Sequence, residues 1–218
     1  MDPRKGRGKI CVSLAGPDAA AIHGQAQQVL DKVDVIEIRL DSMQEPEMEK
    51  CCSLFRKPLL FTNRPLWEGG AFEDSETRRL APLLEAIRLR AAYVDIELRA
   101  DHQLRDQLLA ATKEAARDAT QAIPGFTKVI VSWHDFTSTP SAPVLTDVLK
   151  QMIASKAHVG KIVTTAQSPD DVLRVLHLQE QARSAGFPLC CFCMGETGRI
   201  SRLATLYLGG YMTYACLN

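Results

Sequence analysis

An excess of charge of one sign is missing from this chain. Over 218 residues, 26 lysines and arginines balance 26 aspartates and glutamates, for a formal net charge of zero. A general nucleic-acid or polyanion binder normally has a basic excess, so that class is set aside. Long apolar runs are missing too, and none approaches the roughly 18 residues that a membrane-spanning helix needs. The only basic cluster is the opening MDPRKGRGK. No apolar segment follows it, so it does not read as a secretion signal, and residues 1–8 are expected to form a flexible, solvated tail.

A pair of C-x-x-C motifs is also absent. The seven cysteines are an odd number, with adjacent pairs at Cys51-Cys52 and Cys190-Cys191. Adjacent cysteines rarely bridge each other, and without a secretion signal a disulfide framework is not expected. Cys190, Cys191 and Cys193 have no second C-x-x-C to complete a ligand set and no histidine nearby, so LCCFC reads as strand core rather than a metal site. This cysteine usage fits a reducing, cytoplasmic compartment. No G-x-G-x-x-G follows the first apolar run, where only SLAGPDA stands, so a dinucleotide-binding fold loses its best signal.

What the chain does have is alternation. Eight short apolar runs read as strands: KICVSLA, VIEIRLD, PLLFTNR, YVDIEL, KVIVSWHD, GKIVTTA, LCCFCMG and YMTYACL. Seven longer segments between them have helical spacing. Leu80, Leu83, Leu84 and Ile87 fall at i, i+3, i+4 and i+7, as do Leu145, Val148, Leu149 and Met152. Ser168-Pro169-Asp170-Asp171 is a helix start, with a capping serine, proline at the first helical position and acids in the first turn. With 46% hydrophobic residues the chain can bury one substantial core, so residues 1–218 are expected to form a single domain. Alternating βα units make a parallel sheet. Eight of them favour an α/β fold of the closed (β/α)8 barrel type, compact against the usual ~250 residues. An open doubly wound sheet is the alternative.

Alternate residues of a barrel strand face the interior and the helix layer. In VIEIRLD the apolar Ile36, Ile38 and Leu40 must meet the helices, which turns Glu37 and Arg39 inward. By the same reasoning Thr62 and Arg64 share a face, Asp95 and Glu97 point inward, and Ser132 and His134 lie inside. In GKIVTTA the outward set is Ile162 and Thr164, leaving Lys161 and Thr165 inside. His134 then sits at the C-terminal end of an inward face, where barrel enzymes place their chemistry. A purely structural barrel would fill its interior with branched aliphatics. This one gathers Glu37, Arg39, Arg64, Asp95, Glu97, His134 and Lys161, and an unpaired buried charge costs several kcal/mol.

A lysine shielded from water beside arginines keeps part of its amine neutral, and a neutral amine attacks carbonyl carbons to give a Schiff base. A histidine at the mouth can then remove a proton from the carbon next to the imine. Arginines suit a substrate carboxylate, because the guanidinium fork matches it. The residues therefore reach a lysine-dependent lyase acting on a small anionic ketone, and leave dehydratase and aldolase both open. Asp95 and Glu97 read as structural partners of the basic groups. His23, His102, His158 and His177 read as solvated or structural.

At this point the motifs EIRLD, FTNRPLWEGG, YVDIEL, VSWHDF, GKIV, TAQS and MGETGRISR, in this order along the chain, resemble the type I 3-dehydroquinate dehydratases of the shikimate (aromatic amino acid, chorismate) pathway. The resemblance implies that Lys161 forms the imine and that His134 acts as general base and acid. It also implies that Glu68, in WEGG, orients and tunes that histidine. Ser13, Glu37, Arg39, Arg64, Arg202 and Tyr214 match substrate-binding positions. The substrate implied is 3-dehydroquinate and the products 3-dehydroshikimate and water. No metal or organic cofactor is implied, nor a nucleic-acid or membrane partner, and a homodimer is. Members of the family continue past the eighth strand with an A-P-G-Q-like lid loop and a closing helix, whereas the given sequence stops at TYACLN, and the expectation is a barrel without its final helix over these residues. The competing expectations are another lysine Schiff-base barrel lyase or aldolase, and a lid-less, impaired barrel that only binds a ligand.

Overall fold

A computed structural model describes residues 6–117 and 126–217. Strands and helices alternate in the order β1 Lys9–Leu14, α1 Ala19–Ala26, β2 Val35–Arg39, α2 Met48–Leu54, β3 Leu59–Thr62, α3 Glu76–Arg88, β4 Tyr93–Glu97 and α4 His102–Arg117. There follow β5 Lys128–His134, α5 Ala142–Ala154, β6 Val159–Thr165, α6 Pro169–Ser184, β7 Leu189–Met194, α7 Arg199–Tyr207 and β8 Met212–Cys216. Among the described residues all eight expected strands form, separated by the seven expected helices. Two short 3-10 turns, Leu40–Ser42 and Leu66–Glu68, were not foreseen. The first five residues of the expected tail lie outside the described residues; Gly8 donates its N–H to the Leu206 carbonyl at 2.8 Å. Among the described residues no helix is long and apolar enough to cross a membrane.

The chain divides into two compact units, with β1, β5 and β8 each passing from one to the other. The unit built on Cys11–Ile130 holds β2, β3 and β4 beside β1, with β5 next to β4. The pairs β1–β2, β2–β3 and β3–β4 are parallel, and their register sets Ser13 opposite Glu37, Arg39 opposite Thr62, and Thr62 opposite Asp95. Paired residues of a parallel sheet point to the same face, so Ser13, Glu37, Arg39, Thr62 and Asp95 share one. The opposite face is apolar, with Ile36, Ile38, Phe61, Val94 and Ile96 wholly buried. Helix α3 packs with Leu80, Leu83 and Ile87 buried, while Leu84 is only half-buried.

The unit built on Val131–Tyr214 holds β6 and β7, paired in parallel from Gly160–Leu189 to Thr165–Met194. Lys161 and Val163 lie opposite Cys190 and Phe192 on one face. Thr164 and Cys193 lie on the other, where the Cys191 and Cys193 thiols reach the Val175 and Asp171 carbonyls of α6 at 3.8 and 4.0 Å. Cys190, Cys191 and Cys193 are free and wholly buried, so LCCFC is strand core as expected. Helix α6 starts with the expected Pro169 and a reciprocal cap between Ser168 and Asp171. Helix α5 buries the expected Leu145, Val148, Leu149 and Met152.

Candidate active site

The residues singled out in the sequence fall into two groups, one in each unit. In the Cys11–Ile130 unit, charge is arranged around Arg64. Its Nη2 meets Asp95 at 2.8 Å and its Nη1 meets Glu97 at 2.6 Å. Burial would lower the Arg64 pKa, but Asp95, Glu97, Glu37 and Glu68 outweigh it and raise it, so the guanidinium stays charged. The second Glu97 oxygen is held by Arg79 at 2.5 Å. Burial, aided by Asp95, pushes the Glu97 carboxyl up from its ordinary value against the pull of Arg64 and Arg79. Asp95 and Glu97 are both 0% exposed and serve as partners of arginines, as their spacing suggested. Glu37 accepts a hydrogen bond from the Thr62 hydroxyl at 2.8 Å.

Arg79 escaped the sequence reading. It enters from α3 with 2% exposure and also donates to the Asn63 carbonyl at 3.2 Å. The signal available was its spacing, because Arg79 precedes the buried Leu83 and Ala86 by four and seven residues and so lies on the buried stripe.

Arg39 is bound through Nε and Nη2 to Asp41 at 2.9 and 2.6 Å. Asp41 also accepts the Arg64 and Ala71 backbone N–H groups, each at 3.1 Å. Burial alone would raise the Asp41 pKa; these bonds, with Arg39 first, hold it below the usual carboxylate range. Arg39 keeps 27% of its side chain exposed against 5% for Arg64, so it is the arginine more open to a ligand.

Glu68 ends the 3-10 turn Leu66–Glu68, and its chain direction is set by two glycines. Gly69 adopts φ 75°, a left-handed conformation that glycine takes without strain. Gly70 packs so closely that an added Cβ would stand 2.0 Å from the Arg64 carbonyl oxygen. The W-E-G-G sequence thus folds back on the Arg64 backbone and buries Glu68 to 1% exposure, with Arg99 3.5 Å from its carboxylate.

In the Val131–Tyr214 unit, Lys161 is 5% exposed on β6 and its ammonium nitrogen sits 4.1 Å from the centre of the Tyr214 ring. Tyr214 on β8 leans on Phe192 of β7 at 5.8 Å between ring centres. Arg202 stacks over Phe192 at 4.6 Å and donates to the Tyr214 carbonyl at 2.8 Å. Three of the expected residues, Lys161, Arg202 and Tyr214, are thus joined through one aromatic pair, of which Phe192 had gone unnoticed. His134 ends β5 half-buried, its ring stacked on Phe136 at 5.6 Å with an 8° tilt. Among the described residues, no group of three His, Cys, Asp or Glu side chains is placed to hold a metal ion.

These features define a class: an alternating (β/α)8 enzyme with a strand-borne lysine, a histidine at a strand end and a set of arginines. The sequence model of the type I 3-dehydroquinase family matches residues 10–218, and the chain belongs to that family. It is 44% identical over 210 residues to a 3-dehydroquinate dehydratase of Desulfotalea psychrophila, covering 96% of this chain and 88% of that one. A 3-dehydroquinate dehydratase of Methanosarcina barkeri is 34% identical over 85% of this chain and 76% of its own length. In structure, the chain matches the type I 3-dehydroquinate dehydratase of Clostridium difficile with covalently modified comenic acid. The TM-score is 0.86 at 27% identity, covering 98% of this chain and 85% of that one. The fold class expected from the alternation, a (β/α)8 barrel, is that of this family.

Proposed function

We infer that the chain is a 3-dehydroquinate dehydratase, a hydro-lyase that converts 3-dehydroquinate to 3-dehydroshikimate and water. The observation that supports it best is the family match over residues 10–218, together with a buried Lys161 held against an aromatic ring. Lys161 is the residue proposed to form the imine. Its amine adds to the substrate ketone carbon, and loss of water gives the Schiff base. His134 then takes a proton from the neighbouring carbon, leaving an enamine. The enamine electron pair expels the β-hydroxyl, which leaves as water with a proton from His134. A second water then hydrolyses the conjugated imine, releasing the enone and the free amine.

Glu68 is assigned to orienting His134, as the WEGG motif of the family implies. Ser13, Glu37, Arg39, Arg64, Arg202 and Tyr214 are assigned to the substrate, with the arginines suited to its carboxylate and oxygens. The working state proposed is a cytoplasmic homodimer in the shikimate pathway, and light scattering during size exclusion tests the dimer.

The activity is tested by following conjugated enone formation from 3-dehydroquinate. Turnover by the unsubstituted protein that is abolished in a folded Lys161→Ala variant supports the reading. Absence of turnover by the folded, unsubstituted protein, or substantial turnover by Lys161→Ala, would overturn it.

A further inference from the structure

The strand that presents Lys161 also fastens the loop that follows His134. Lys161, Val163 and Thr165 alternate along one face of β6. The Asp135 N–H donates to the Val163 carbonyl at 2.9 Å, and the Thr165 N–H donates to the Ser138 carbonyl at 3.1 Å. Between these two backbone bonds, the Thr165 hydroxyl donates to the Asp135 carbonyl at 3.1 Å. The loop is closed from within by the Asp135 carboxylate. Its Oδ1 accepts from the Thr137 N–H and hydroxyl at 2.9 Å each, and from the Ser138 N–H at 2.8 Å. Phe136, whose ring is stacked on the His134 imidazole, lies inside this turn.

Two of these bonds join backbone groups that any residue supplies, and three are made by the Asp135 carboxylate within the loop itself. The Thr165 hydroxyl is different, because it belongs to a side chain of the lysine strand that reaches the peptide linking Asp135 to Phe136. We propose that Thr165 is a positioning residue for the reaction: its hydroxyl, by holding the Asp135 carbonyl, sets the orientation of the His134–Phe136 ring pair relative to the strand of Lys161. Thr165 exchanges no proton with substrate in this account. It acts through His134, and the proposal therefore rests on His134 being the base. A displacement of about 1 Å in a catalytic group can cost up to about 100-fold in rate. Losing one strut of several should cost less.

The test compares Thr165→Val, Thr165→Ala and Thr165→Ser, with turnover and borohydride trapping measured on each. Thr165→Val and Thr165→Ala are expected to lower kcat about tenfold, while the fraction of protein trapped on Lys161 with 3-dehydroquinate stays at or above that of the unsubstituted protein. Thr165→Ser keeps the donor and should restore kcat to within about twofold. If Thr165→Val does not fold, Thr165→Ala gives the same reading without added bulk. Full kcat in the variants that lack the hydroxyl, a serine variant as slow as the alanine one, or trapping that falls in step with kcat would each overturn the proposal. Lack of an adduct on Lys161 in the unsubstituted protein is a separate outcome, which would overturn the imine reading and this proposal with it.

Discussion

The Lys161 ammonium rests on the Tyr214 ring, 4.1 Å from its centre. The ring presents its electron-rich face to the cation and fixes where the amine stands on β6. Tyr214→Phe keeps that face and should leave kcat/KM within about threefold. Tyr214→Leu removes it and should lower kcat/KM by misplacing the amine, by up to about 100-fold for a shift of about 1 Å. Steady-state kinetics on the two variants checks this; equal activity in both would mean that the ring only fills space.

His134 should be less replaceable. As the proposed general base and acid it is expected to contribute ~10²–10⁴-fold. His134→Ala should therefore lose turnover by that factor, while imine formation at Lys161 continues slowly. Trapping and turnover measured on the same preparation separate the two steps.

Gly70 should tolerate no side chain. A Cβ there would meet the Arg64 carbonyl oxygen at 2.0 Å and the Arg64 Cβ at 2.5 Å. Gly70→Ala must shift the loop bearing Glu68, at a cost of about 1–3 kcal/mol in stability, and it should also lower kcat/KM. Urea unfolding alongside kinetics checks both.

The Asp41 carboxyl makes a pH-dependent contribution to stability. Its pKa in the fold is depressed, because Arg39 and the Arg64 and Ala71 N–H groups bind the ionised form and outweigh burial. Such a group stabilises the fold above its unfolded pKa, near ~3.9, and that contribution is lost as pH falls through the lower folded value. Asp41→Asn should therefore be less stable at neutral pH and should show a shallower loss of stability below about pH 4. Urea midpoints from pH 3 to 7 on both proteins test this; parallel curves would contradict it.

Much of this was legible in the chain itself. Short apolar runs bounded by helical stretches identified the eight strands, because a sheet covered on both sides needs apolar residues along its whole length. Charges set into those runs, such as Glu37 in VIEIR and Asp95 in YVDIE, marked one face of the sheet. Arg79 was hidden because its role depends on reaching Glu97, 18 residues away, from a helix that otherwise looks amphipathic. The Thr165 strut was hidden because a hydroxyl-to-carbonyl bond over 30 residues leaves no periodic trace. Phe192 looked like any other core residue of LCCFCM, and only the register with β6 puts it on the lysine's face.

Lys161 is proposed to capture the substrate ketone as an imine. The most direct measurement is to incubate the protein with 3-dehydroquinate, reduce with borohydride and map the adduct by peptide mass spectrometry. One reduced substrate adduct is expected, located on Lys161 and absent from Lys161→Ala. A folded protein that turns over 3-dehydroquinate yet is trapped on another lysine, or on none, would contradict it.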